Sequence, residues 1–193
     1  MKRSRPLALL AAALFGFALL SLVERKEPTG EPIAPARAAS PQAHTLAWEE
    51  RTPATGTALV FRVGSLEVTA QGWRADVAIE NVSSVPWSIG TSGADAAFGL
   101  MLFPNDYLEE VERRNAKHSL PAVRRARTFE PAPPATLPPG GRWAGVLQAP
   151  GALPAGLYVR FVFGPLTAEG APPTGVPETV VWITDHAIQL TGA

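Results

Sequence analysis

The chain has 193 residues, 46% of them apolar, with 17 basic and 17 acidic side chains and no cysteine. That length suits one domain of ordinary size with flanking segments. Zero net charge gives no whole-molecule reason to expect a nucleic acid as partner, and the lack of Cys excludes disulfides, thiolate metal sites, a catalytic thiol and a lipid-modified cysteine.

Lys2, Arg3 and Arg5 form a basic head, and Pro6 to Val23 follows without a single charge. At about 1.5 Å per residue such a run spans roughly 27 Å as a helix, close to the hydrocarbon thickness of a bilayer. It reads as an export signal retained as an anchor over residues 1–23, because Leu22-Val23-Glu24-Arg25-Lys26 offers no small-residue cleavage site and the first A-x-A match, Ala36-Arg37-Ala38, lies far downstream. The basic head keeps the N-terminus cytoplasmic and places the rest outside; cleavage would instead make the protein secreted or periplasmic. Residues 24–56 read as a Pro/Ala-rich extracytoplasmic linker, stiffened by Pro28, Pro32, Pro35, Pro41 and Pro53. Leu46 and Trp48 are its apolar exceptions and are candidates to dock as an extra edge segment.

Strict alternation begins near Thr57. Leu59, Phe61 and Val63 share one face, Gly64-Ser65 supplies a turn or a bulge, and Leu66, Val68 and Ala70 continue the apolar face. Trp73, Ala75, Val77 and Ile79 repeat the pattern opposite Arg74, Asp76 and Glu80, as half-buried antiparallel strands do. Further strands are expected at Val85–Ile89, Ala97–Phe103, Arg142–Gln148, Leu157–Phe163 and Thr179–Thr184, with a short last one near Ile188–Leu190. The strands at Arg142–Gln148 and Leu157–Phe163 read as a hairpin. Trp73, Trp143 and Trp182 read as core, and Trp87 as a core plug or an exposed contact.

One segment breaks the strand pattern. Asn105-Asp106 are helix-capping types ahead of Tyr107 to Arg114, with Glu109/Arg113 and Glu110/Arg114 at favourable spacing. Arg113, Arg114, Lys117, Arg124, Arg125 and Arg127 then concentrate six basic residues before the Pro-rich run Pro131–Pro139. This helix and basic loop, about residues 105–128, form an insertion in a domain spanning 57–190. A long insertion is where such a domain can carry function.

Leu137-Pro138-Pro139-Gly140 ahead of Trp143 is echoed by Leu153-Pro154-Ala155-Gly156 ahead of Tyr158, and Ala78-Ile79-Glu80-Asn81-Val82-Ser83 ends a strand on Asn-x-Ser. At these residues the chain resembles the immunoglobulin-like sandwich domains of exported and anchored bacterial proteins, over roughly residues 57 to 190. The resemblance implies a fold, the immunoglobulin-like antiparallel β-sandwich; taken with the residues' own pattern, the chain is expected to be mainly β, with one short inserted helix, preceded by a transmembrane helix. It implies no activity and carries over no functional residue.

No nucleophile elbow, metalloprotease motif or phosphate-binding glycine loop is present. Asp185 and His186 are adjacent, so on one strand they would face opposite ways. His118-Ser119 lacks a third catalytic partner, and Glu109, Glu110 and Glu112 have basic neighbours instead of a ligand geometry. No cofactor, metal or small-molecule substrate is indicated. The expected function is a non-enzymatic, membrane-anchored binding or accessory module that meets a protein or an anionic envelope surface through Arg113, Arg114, Lys117, Arg124, Arg125 and Arg127. An envelope hydrolase with a dispersed site and a purely structural assembly protein are the alternatives.

Overall fold

Alternating apolar side chains can be buried only if the strands that carry them stack face to face, and a computed structural model, described for residues 37–52, 58–90 and 98–192, has two antiparallel sheets packed in this way. The first sheet orders β1 (Gln42–Thr52), β2 (Leu59–Val68), β3 (Gly72–Asn81), β9 (Arg142–Pro150) and β7 (Thr128–Glu130). The second is built around the long β10 (Tyr158–Ala168). One edge of β10 pairs with β5 (Phe98–Phe103) and then β4 (Trp87–Ile89), which carry β6 (Arg124–Arg125) and β8 (Thr136–Leu137) beyond them. β11 (Thr179–Ile183) and β12 (Ile188–Gln189) also pair with β10. The helix α1 (Leu108–Ala116) follows β5. The expected anchor at 1–23 and the first part of the linker lie outside the described residues, and among the described residues no helix is long and apolar enough to cross a membrane.

Aromatic rings fill the space between the sheets. Phe61 on β2 lies 5.1 Å from Phe163 on β10 and stacks on Trp182 of β11 at 5.6 Å, while Phe98 on β5 lies 5.5 Å from Trp143 on β9. Trp87 is fully buried, so the core plug is its role. Its indole N–H donates to Ser83 Oγ at 3.0 Å, and Ser83 Oγ donates to Asn81 Oδ1 at 2.7 Å. The Asn81 amide donates in turn to the carbonyls of Val85 and Leu137. The Asn-x-Ser sequence is therefore a buried polar knot at the β3–β4 corner, with Asn81 shielded from any modifying enzyme while the domain is folded.

Two expectations need correction, and of the turn or bulge expected at Gly64-Ser65 the bulge is the one that forms. Residues Gln42–Thr52, read as the end of the linker, are an edge strand paired with β2 from Gln42↔Val68 to Thr52↔Leu59. A bulge between Thr45 and Trp48, with Ala47 at φ 51°, breaks the alternation that would have marked this strand in the sequence. The folded region reaches further back still, since the N–H of Ala39 donates to the Leu153 carbonyl at 2.7 Å and that of Ser40 to the Thr191 carbonyl at 3.0 Å. Gly64-Ser65 does not turn the chain. It is a bulge within β2, and the hairpin turn comes at Thr69–Gly72. Finally, β9 and β10 are not a hairpin: β9 pairs with β3 and β7 in one sheet while β10 lies in the other, so the Pro-Gly turns between them pass the chain across the sandwich.

The boundary correction has a measurable consequence. A chain starting at residue 37 should melt cooperatively as an independent domain. A chain starting at residue 57, which loses β1 and bares the backbone edge of β2, should lose several kcal/mol of the roughly 5–15 kcal/mol that such a domain holds, or aggregate. Thermal denaturation of the two truncations checks this, and equal midpoints would show that β1 is dispensable.

Candidate functional site

The six basic residues fall into two groups once the helix and strands around them are placed. Asn105 Oδ1 accepts the N–H of Tyr107 in a tight turn, and Tyr107, not Asn105 or Asp106, stands at the cap position of α1 with no side-chain cap. Val111 docks the helix on the outer face of the second sheet beside Met101, Phe103 and Val162. Glu110 takes both helical arginines, accepting from Arg113 one turn on and from Arg114 at i,i+4. The expected Glu109–Arg113 pair does not form. The Glu110 carboxyl is held below the usual carboxylate range, first by Arg113 and then by Arg114. The helix ends in a Schellman turn: the N–H of Ser119 reaches the Arg114 carbonyl at 2.9 Å and that of His118, at φ 51°, reaches the Asn115 carbonyl at 3.0 Å. Lys117 and His118 are exposed there, and Ser119 Oγ turns to the Arg114 carbonyl.

Arg124, Arg125 and Arg127 are placed differently. β6 pairs with β5 in the second sheet, Leu100↔Arg124 and Gly99↔Arg125. Two residues later the chain belongs to the first sheet: the N–H of Arg127 donates to the Gln148 carbonyl at 2.7 Å, and β7 pairs with β9. Between them Ala126 is fully buried and its N–H donates to the Phe98 carbonyl. The basic segment is thus a strand that switches sheets and seals one open side of the sandwich. Gly99 permits it, because a Cβ there would lie 2.5 Å from the Arg124 carbonyl oxygen and 2.7 Å from the Val123 side chain.

Arg124, Arg125 and Arg127 line one groove of about 410 Å³ with Trp73, Val123, Ala149, Pro150, Gly151 and Leu153, and none of these described lining residues is acidic. Among the described residues, the acids that form ion pairs do so with other cations. Glu49 holds Arg51 and Arg62, Glu80 holds Arg62, Glu110 holds Arg113 and Arg114, and Glu50 holds His186. The groove arginines make no ion pair within that set. A guanidinium group can pair in a fork with carboxylate, sulfate or phosphate oxygens, and these three arginines are carried on a hydrogen-bonded backbone.

A second cluster was invisible in the sequence. Glu50, assigned there to the linker, is buried at the inner end of β1. Its Oε2 accepts the Trp182 indole N–H at 2.7 Å and the Asp185 N–H at 3.0 Å; its Oε1 accepts the His186 N–H at 3.1 Å and bonds the His186 ring Nδ1 at 2.6 Å. The His186 ring stacks on Trp48 with centroids 5.2 Å apart. Alongside, Arg160 is fully buried on the outer face of β10 over the Phe103 ring and donates to the carbonyls of Thr184, Asp185 and Asp106. Burial pulls its pKa down, against the opposing charges of Asp185, Glu50 and Asp106. The expectation that Asp185 and His186 do not form a dyad stands on the geometry, since the His186 ring partner is Glu50. With both Glu50 oxygens doubly engaged, the carboxylate serves as a clasp between sheets.

Glu50→Gln replaces one acceptor oxygen with an amide that faces existing donors, and urea denaturation should show a loss of about 2–3 kcal/mol. His186→Ala should cost less, because that side chain is half exposed. An unchanged Glu50→Gln midpoint would show that the clasp contributes nothing. Asp185 titrates in the opposite sense to most surface acids: burial first, then the Glu50 charge, push its carboxyl above the ordinary range. A group with a raised folded pKa favours the fold while protonated, and that contribution disappears as pH rises through the folded value. Asp185→Asn should therefore melt above the parent at neutral pH, and the gap should close as pH falls towards about 4. Melting curves across this range check the sign, and a variant less stable than the parent at neutral pH would contradict it.

No protein-family model, curated protein or solved structure matches the chain, so its functional reading rests on the residues themselves.

Proposed function

We propose that this chain is a non-enzymatic binding module, anchored in the membrane by its N-terminal apolar segment with the domain outside, that engages an anionic partner through Arg124, Arg125 and Arg127. The observation that carries the reading is that these three arginines, carried on one strand segment, all contribute to the lining of one groove whose described lining residues include no acid. Arg113 and Arg114 are secondary in this reading because Glu110 already neutralises much of their field, and Lys117 lies at the helix end as a peripheral charge. The charge-free run Pro6–Val23 behind a basic head supports the anchor and the outside placement. Two antiparallel sheets face to face, with connections that pass from one sheet to the other, support an immunoglobulin-like form of the sandwich.

Replacing Arg124, Arg125 and Arg127 together by Glu should abolish recovery of the cross-linked partner from intact cells while leaving the melting temperature nearly unchanged. Arg113→Ala with Arg114→Ala should leave recovery largely intact. For the parent, recovery should fall steeply as salt rises from about 50 to 300 mM, because exposed charges are screened beyond about 10 Å near 0.1 M. Equal recovery by the triple variant at both salt concentrations would return the segment to the status of a solvated surface strand.

A further inference from the structure

We propose that the anion engaged by this module is a glycan chain carrying carboxylate or sulfate groups, bound along a cleft that continues from the arginine groove onto the outer face of the first sheet. The inference rests on the binding role just described and names its ligand class. The groove is not isolated: a second cleft of about 460 Å³ shares Trp73, Arg127, Ala149 and Pro150 with it. That cleft follows a row of side chains in register across four strands, Glu67↔Arg74↔Gln148↔Thr128. Glu67 at the far end is an exposed acid, so the part suited to a polyanion runs Arg74–Gln148–Thr128, roughly 10 Å at about 4.8 Å per strand, and with the groove it forms a path for an extended chain and not a pocket for a single ion.

The chemistry changes along this path in a way that separates three kinds of polyanion. Arg124, Arg125 and Arg127 offer bidentate forks to carboxylate or sulfate at one end. Gln148 and Thr128 offer neutral donors and acceptors further along, which match the hydroxyls of a sugar. Pro150, exposed where the two clefts meet, supplies apolar surface suited to the C–H face of a ring, while Trp73 is buried beneath it. An acidic peptide would gain most of its affinity by adding a strand to a free sheet edge, but the edge beside the groove is only Thr128–Glu130. A bilayer would want a basic face flanked by protruding apolar side chains. Among the described residues, the exposed large apolar side chains, Tyr107, Leu108 and Val181, line neither cleft.

The full-length protein in neutral detergent is titrated by calorimetry with four probes: an oligogalacturonate octamer, a neutral galactan octamer, a glutamate octapeptide and phosphatidylglycerol vesicles. The oligogalacturonate should bind at least about tenfold more tightly than the peptide of equal charge, and the galactan only weakly. Reversal of the three arginines should abolish oligogalacturonate binding. Gln148→Ala with Thr128→Ala should weaken the oligogalacturonate about five- to tenfold and leave peptide affinity unchanged, which separates hydroxyl recognition from charge alone. Peptide or vesicles binding as well as or better than the oligogalacturonate would overturn the glycan assignment while leaving the anionic binding role intact. Failure of all four probes would overturn both.

Discussion

A stack of two sheets has two open sides, and on one of them everything turns on a single buried carboxylate. Glu50 sits on the edge strand of the first sheet and accepts from Trp182, Asp185 and His186, all on or just beyond β11 of the second. A charge in that position is tolerable only because donors surround it: isolated, it would cost far more than its hydrogen bonds return. The same requirement runs in reverse. The N–H groups of Asp185 and His186 lie where the chain leaves β11, and without the carboxylate they would have to find water in a half-closed seam. Trp48 closes this seam by stacking on His186 and meeting Phe161 edge to face at 6.1 Å. Arg160 works from the opposite face of β10, tying the carbonyls of Thr184 and Asp185 to that of Asp106, just ahead of α1. The position of the helix is therefore coupled to the clasp.

The other open side is sealed by backbone. Residues 124–130 pair first with β5 and then with β9, with Ala126 buried at the crossing. A side chain carried on such a segment has lost its backbone freedom before any ligand arrives, and the entropy that a loop would lose on binding is already lost on folding. Gly99 and Ala126 are thus part of the site although neither touches the groove: one lets β6 approach, the other anchors the switch.

The strands from Leu59 to Ile79 were legible because one face is core and the other is wet, and the two-residue period survives the bulge at Gly64. β1 was not, because its bulge at Ala47 and the neighbouring prolines make a paired edge strand look like a tether, and because a glutamate at its buried end argues against burial until its donors are known. The strand expected at Leu157–Phe163 stops short of the far half of β10, because Gly164-Pro165 interrupts the alternation; Gly164, at φ 110°, lies against the Val180 carbonyl in a bulge, and the strand continues to Ala168. The Pro-Gly echo gave two turns correctly but could not say whether a turn makes a hairpin or crosses between sheets, since local backbone demands are the same for both. In the basic segment, composition marked six charges as equals. What separates them is long-range: Glu110 claims two from within the helix, and the sheet switch gathers three others around Trp73 and Pro150.

That separation rests on a general asymmetry between charges a fold uses and charges it leaves available. Arg160 is enclosed by carbonyls and Arg62 stands between Glu49 and Glu80, so each has its electrostatic partner inside the domain. Arg124, Arg125 and Arg127 are like charges brought close together on a rigid strand, which raises the free energy of the unliganded domain in proportion to their proximity. Solvent screening makes that cost small at the surface, but it does not make it favourable. Among the described residues no ion pair offsets that repulsion, and an anion bound as proposed would relieve it. Charge alone attracts any polyanion, so in the proposed reading discrimination among chains of equal charge would come from the uncharged Gln148 and Thr128, which stand opposite one another on β9 and β7.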